Sequence, residues 1–351
     1  MSSRSVWRYA ACGIVCVMLA VQALAGSGYH ILKKFPIPSG GEGTWDYATI
    51  DEDGRRLFVA HETQVEVLNA DTGKLLGTIA ARGAHAIALV PEFKHGFITN
   101  GQNATVTMFD FDTLKSLSDI PVGDLADGIA YDPFTKRVFS FNTVGRNATV
   151  INAADGTVAG TINLDAKPEQ AVADGVGHVF VDLKDRNMVV RIDSQKLAVD
   201  QRWPIAGCDR PTSLDMDKKT HRLFIGCRDL MLYVMDSDNG RVITQLPIGD
   251  NVDNTAFDPA TALIFTSSED AVITVMHEDG PDSYHAVQTV KTQAGSKTMA
   301  LDLKTHRLYV PYGEVEKLPP VQQPKTGGKV DMSGVRRKVV ANTFGILVVG
   351  K

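Results

Sequence analysis

Short runs of apolar and β-branched residues recur along the chain, each bounded by Gly, Asp, Asn, Pro or Thr. One run in every unit carries a single aromatic: Arg56-Leu57-Phe58-Val59, Gly96-Phe97-Ile98, Arg137-Val138-Phe139, His178-Val179-Phe180-Val181, Arg222-Leu223-Phe224-Ile225, Leu263-Ile264-Phe265 and Arg307-Leu308-Tyr309-Val310. These aromatics lie 39 to 44 residues apart. A period of that length marks a propeller or a solenoid array. Each unit has one internal order. An inner run ends in Asp (Asp51, Asp132, Asp217, Asp258, Asp302), a charged turn follows, then the aromatic run, then two further runs joined by a turn such as Asp71-Thr72-Gly73-Lys74. Four short strands with polar turns make a four-stranded sheet. No 3.6-residue period of useful length appears after the first 25 residues, which disfavours an α-solenoid.

Radial repetition of four-stranded sheets is a β-propeller. The seven aromatics predict an all-β, seven-bladed β-propeller of four-stranded antiparallel blades. The ends of the chain predict how it closes. The last unit stops after its third run, 344–349, and an orphan run, 29–37, precedes the first unit. Pairing the two in the last blade supplies the missing strand and removes an exposed edge.

Two of these segments, Asp132-Pro133 with Arg137-Val138-Phe139, and Val67-Leu68-Asn69-Ala70-Asp71-Thr72-Gly73-Lys74-Leu75 with Thr78-Ile79, resemble the YncE-like, YVTN-type propeller family. The resemblance spans the chain after its first 25 residues and implies a propeller fold and export. Its motif consists of turn and core residues, so it implies no activity. Two units depart from it, with Val90-Pro91 in place of Asp-Pro and with a shortened turn at Asp174-Gly175-Val176-Gly177. Only Trp45 and Trp203 lie beyond residue 25, so the Trp-docking repeats of quinoproteins are missing.

Residues 1–25 read as a cleaved secretory signal peptide. Arg4 and Arg8 precede a mostly apolar stretch over 10–24, which ends in Ala23-Leu24-Ala25. That stretch is shorter than the roughly 20 residues a membrane span needs. Residues 26–351 then form a single propeller domain in the periplasm or outside the cell, with no membrane span. The whole chain carries a net charge of −5, and removing the leader takes away two arginines and no acid. General nucleic-acid binding, which needs clustered Lys and Arg, is not expected. Cys208 and Cys227 remain as an even pair in an oxidising compartment and predict a disulfide.

In a propeller, the residues that open each inner strand gather around the channel mouth. Five residues before each strand-end Asp, or its equivalent, stand Asp46, His85, Asp127, Glu169, Thr212, Asp253 and Lys297. Three residues after each aromatic stand His61, Asn100, Asn142, Leu183, Cys227, Ser268 and Tyr312. Most of these fourteen positions are polar, and they diverge while the turns stay alike. A scaffold held constant around a varied site gives that pattern. The candidate ligand-binding set is therefore Asp46, His61, His85, Asn100, Asp127, Asn142, Glu169, Arg210, Asp253, Lys297 and Tyr312. No catalytic residue, metal site or cofactor is assigned, because no sequential ligand spacing, nucleophile elbow or phosphate loop is present.

The connection 313–343 is about 30 residues long where other units use a few, and it holds six basic against three acidic residues. An insertion of that length reads as a lid, a partner-docking loop or a disordered segment. The function expected from the sequence is a binding protein that takes a small ligand or a protein partner at the channel mouth. The alternative is a lactonase-like hydrolase or lyase using a mouth carboxylate with His85 or His61.

Overall fold

The computed structural model describes residues 28–37, 43–293, 295–317, 337–340 and 342–351. The expected signal peptide and most of the connection 313–343 lie outside the described residues. The fold is a β-propeller of antiparallel sheets, five of four strands and one of six. In the five units that have one, the strand-end Asp caps the first turn. Asp132, for example, accepts the Phe134 and Thr135 amides and the Thr135 hydroxyl, and Asp258 and Asp302 accept the same kinds of donor. A short polar side chain that satisfies two orphan amides is what makes this turn reproducible from unit to unit.

The expectation of seven separate blades is corrected: the blades of the described residues are six sheets. Seven repeat units occupy them because the first two share the six-stranded sheet. Its strands Arg56–Asn69 and Leu75–Val90 are 14 and 16 residues long, where most strands have six or seven. Glu62 pairs with Ala84, and Ala84 pairs onward with Asn100, so the ladder runs from one unit into the next. The physical reason lies in the connecting residues. His61-Glu62-Thr63-Gln64 contains none of the Gly, Asn, Asp or Pro that break the equivalent positions elsewhere, as in Gly101-Gln102-Asn103.

Closure follows the expected route. His30–Pro36 pairs antiparallel with Gly345–Gly350, which in turn pairs with Arg307–Tyr312. The terminal strand is anchored at both ends by buried side chains, Tyr29 at 2% and Ile37 at 4% exposure. The seven repeat aromatics are all buried. They sit in apolar clusters, each formed between two consecutive units, and the cluster around Trp45, Tyr309 and Phe344 joins the last unit to the first.

Near the axis, a second set of bonds stitches neighbouring units together. A hydroxyl of one unit donates to an inner-strand carbonyl of the next, as in Thr49 to Ile87, Thr99 to Asp127, Thr143 to Pro168, Thr212 to Val252, Ser267 to Lys297 and Thr298 to Asp46, over 2.6–2.9 Å. Between the fourth and fifth units the amide side chain of Gln170 accepts the Leu214 N–H instead. Cys208 and Cys227 form the expected disulfide, with both residues buried. Their bond ties the entry of the fifth unit to the end of its second strand. The connection 313–343 begins and ends as a short two-stranded ladder, Val315–Lys317 with Arg337–Val339.

Removing a buried aromatic from the terminal strand attacks closure directly. Tyr29→Ala is expected to destabilise the fold by about 3–5 kcal/mol, whereas Leu76→Ala, at an exposed position, changes stability by less than about 0.5 kcal/mol. Urea unfolding of the two variants beside the wild type checks the difference.

Candidate functional site

The inner strands do more than line the axis. Each of six carries a one-residue register shift at its second residue or just beside it, falling between Trp45 and Ala48, Ala84 and Ile87, Ala126 and Ile129, Pro168 and Ala171, Pro211 and Ser213, and Val252 and Asn254. A bulge leaves one residue unpaired and re-aims its side chain. The bulged residues are Asp46, His85, Asp127, Glu169, Thr212 and Asp253. Lys297 stands just before the short seventh inner strand, Ala300–Asp302.

Six of these seven are ionisable, and five of them, Asp253, Lys297, Asp46, His85 and Asp127, form a chain of alternating charge. Lys297 Nζ lies 2.8 Å from Asp253 Oδ2 and 3.3 Å from Asp46 Oδ1. His85 Nδ1 lies 2.7 Å from the other oxygen of Asp46 and 3.6 Å from Asp127 Oδ1. Glu169 pairs with Lys184, and Arg228 stands 3.6 Å from Asp253. Thr143 donates to Asp127 as well as to the Pro168 carbonyl. Thr212, the exception, is buried and spends its hydroxyl on the stitch to Val252.

Two glycines permit this convergence. A Cβ on Gly101 would lie 2.6 Å from His85 Nε2, and one on Gly128 would lie 2.0 Å from the Glu169 carbonyl oxygen. A larger residue at Gly128 would press on the backbone of the next unit, and one at Gly101 would displace the His85 ring of its own unit.

The crowding sets the protonation states. Burial alone would lower the His85 pKa, but Asp127 and Asp46 outweigh it and raise it to about 9. Burial would raise the Asp46 carboxyl, but Lys297 and His85 hold it below its ordinary value. Burial also works against the charge on Lys297, and Asp253 and Asp46 reverse that and raise its pKa. Glu169 goes the other way. Burial and the nearby Asp127 raise it to about 8, against the opposing charge of Lys184. Below Glu169, the buried Asp182 is raised well above the carboxylate range by burial and by Glu169, and its Oδ2 has no hydrogen-bond partner. Tyr47 is buried in the same ring, and its phenol is raised by burial and by the surrounding carboxylates.

The other candidates lie elsewhere. His61 is wholly buried, bonded to Glu66 and to the Gly43 carbonyl, and packed on Phe344 with ring centroids 4.3 Å apart. Asn100 and Asn142 are buried and bond Thr105 and Thr107, and Asn147 and Thr149, on the adjacent third strand. Tyr312 is half-buried against Gly345. Arg210 is an exposed turn residue at φ 49°, beside Asp209. The second-strand ends thus hold the sheet together, while the bulged inner residues form the ring. Sequence reasoning missed Tyr47, Lys184 and Arg228. Lys184 and Arg228 each follow a second-strand end by one residue, and aligning that position across the units would have found both.

Chemically, the ring can exchange its internal ion pairs for pairs with a charged polar ligand. Asp46, His85 and Asp127 present ligand atoms within 4.8 Å of one another. A cation there would have to displace the proton on His85 and compete with Lys297 for Asp46. His85 is an imidazolium at neutral pH, so in this state it donates a proton and does not accept one.

No family model matches the chain, and no curated protein matches it. Solved structures share its architecture. A chain of Kuenenia stuttgartiensis hydrazine synthase superposes with a TM-score of 0.69 at 17% identity, covering 77% of this chain and 92% of that one. The RRP9 WD40 repeats superpose at 0.73 with 12% identity, covering 93% and 98%. A chain of the mitotic checkpoint complex superposes at 0.69 with 11% identity, covering 88% and 96%. At these identities the similarity establishes the propeller fold alone.

A histidine titrates near 6.5 when unfolded, so the folded chain holds an extra proton on His85 from there up to about pH 9. The stability this contributes is complete below pH 6.5 and is lost as pH rises through 9. The raised Glu169 acts in the same direction between pH 4.5 and about 8. Urea unfolding should show the wild type losing up to about 3 kcal/mol across the His85 window, and His85→Gln should lose distinctly less. Parallel pH profiles for the two proteins would contradict the assignment.

Proposed function

We propose that the protein is an exported binding module that takes a charged, polar ligand or partner segment at the channel mouth. The carrying observation is the chain Asp253–Lys297–Asp46–His85–Asp127, in which side chains from five repeat units meet although nothing in the core requires them to. Polar groups that gather on a rigid scaffold, with pKa values displaced by one another, mark a functional site. The β-propeller fold fits a binding role, and its turn and core motifs support grouping the chain with the YncE-like propellers. Export to the periplasm or the exterior is supported by the leader pattern and by the Cys208–Cys227 disulfide. Among the described residues, no helix is long and apolar enough to cross a membrane. The basic connection 313–343 supports a role as a docking element for an acidic partner.

The second reading, a lactonase-like hydrolase or lyase, is favoured by one observation, the 2.7 Å contact of His85 with Asp46. An imidazolium so held would act as a general acid toward a leaving oxygen. The binding reading is preferred because both oxygens of Asp46 are engaged, one by His85 and one by Lys297, and against the upward pull of burial these cations hold its carboxyl below its ordinary pKa, which makes it a weak base.

Ligand capture separates the two. Wild type, Asp127→Ala and Lys297→Ala are immobilised, exposed to a small-molecule extract of the native extracellular fraction, and eluted for mass spectrometry. The binding reading expects a compound enriched on the wild type and depleted at least about tenfold on both variants, a loss of roughly 1.4 kcal/mol, with both variants still folded by circular dichroism. Identical retained sets on all three would overturn it. Turnover of a lactone panel that is abolished by His85→Gln would favour the enzyme.

A further inference from the structure

The sixth unit differs from its neighbours at its outer edge. Its third and fourth strands, Val272–Gly280 and Ser283–Lys291, are nine residues each, where most outer strands have six. The extension is a hairpin that reaches past the rest of the sheet. One of its faces is fixed to the fifth unit. Glu278, buried at 7% exposure, accepts the hydroxyls of Thr220 and Tyr284, and Arg222 donates to the Pro281 carbonyl and to Asp282. Side chains alternate across a strand, so the residues on either side of Glu278 face the other way.

Those residues are His277 and Asp279, and His285 stands directly across from His277 in the ladder. A register shift between Glu278 and Gly280 leaves Asp279 as the bulged residue. Its carboxylate sits between the two imidazoles, 2.9 Å from His277 Nδ1 and 2.7 Å from His285 Nδ1. The imidazole centroids are 5.5 Å apart, and one ligand atom from each of the three residues lies within 4.8 Å of the other two. The triad is solvent-facing, with side-chain exposures of 35%, 43% and 56%.

We propose that His277, Asp279 and His285 form a surface site for Zn²⁺ or a similar borderline divalent ion, with one coordination position open. Two imidazoles and one carboxylate are the donor set that suits such an ion, and three protein ligands leave the fourth position to water or to a group on a partner. Metal–ligand bonds of about 2.0–2.2 Å hold tetrahedral ligand atoms a little over about 3 Å apart. The triad reaches that spacing by small rotations of exposed side chains, with no movement of the docked backbone. The ion takes the place of the two Nδ1 protons that His277 and His285 donate to Asp279, each imidazole keeping one proton on Nε2. The site lies at the rim of the sheet, away from the axial ring, and does not depend on the function proposed for that ring.

Zn²⁺ binding to the purified full chain tests this by isothermal titration calorimetry, with the imidazole NMR signals of His277 and His285 as the second readout. One equivalent of Zn²⁺ is expected to bind and to shift both imidazoles. His285→Ala and Asp279→Ala should each weaken binding about tenfold or more, and His221→Ala, a comparable exposed histidine beside Asp238, should leave it unchanged. Melting temperatures establish that the variants fold. Two results would overturn the proposal: no saturable uptake by the wild type, or undiminished uptake by the His277→Ala/His285→Ala double variant, which would place the ion elsewhere.

Discussion

Closure of the ring is the constraint on which the rest of the structure depends. The ladder between His30–Pro36 and Gly345–Gly350 joins the two ends of the chain into one sheet, and only then does the last unit have a face to offer the first. Lys297 belongs to the last unit and Asp46 to the first, so the ion pair between them exists only in the closed ring. The stitch from the Thr298 hydroxyl to the Asp46 carbonyl has the same dependence. Apolar clusters between units supply the non-directional part of the cohesion, and the hydroxyl stitches fix the rotation of each sheet against its neighbour. That rotation decides which side chain of each inner strand reaches the axis.

The bulges then convert a generic scaffold into a particular mouth. A regular inner strand would turn its second residue to one side or the other of the sheet, toward the packing between units. A bulge at that residue turns it out of the ladder and toward its counterparts in neighbouring units. Acid, base and acid alternate around part of the ring, so each charge that loses water gains an opposite neighbour. Buried charges are tolerated only on those terms. Glu169 is the point where the balance is poorest, since burial and the carboxylates of Asp127 and Asp253 act on it against Lys184 alone. Its carboxyl responds by holding its proton toward neutral pH.

Much of this was legible in the residues. The strand-end Asp and the recurrent aromatic are local necessities, one for a turn amide and one for the packing between units, so they repeat and reveal the unit. The orphan run 29–37 revealed closure by its lack of a partner. The register of the mouth residues was legible too, because they stand at a fixed distance before the Asp. Three things were not. The fusion of the first two units depends on Glu62, at φ 41°, still pairing with Ala84 across an irregular ladder, which shows in sequence only as missing turn residues. The burial of His61, Asn100 and Asn142 within their sheets was not legible, because a polar residue at a strand end looks the same whether it faces the axis or bonds the next strand. Lys184 and Arg228 were passed over because each lies in a turn, where a charged residue carries no signal of its own. The triad on the extended hairpin escaped notice for a related reason, since cross-strand register brings His277 and His285 together and sequence spacing does not.

The central claim is that side chains from separate repeat units share one electrostatic environment at the mouth. Titration of the His85 imidazole by NMR reads that environment directly, because Asp46 comes from the unit before it and Asp127 from the unit after it. The account predicts a pKa near 9 in the wild type, lowered by Asp46→Asn and, independently, by Asp127→Asn. An imidazole that titrates near 6.5 in all three proteins would mean that the ring does not form.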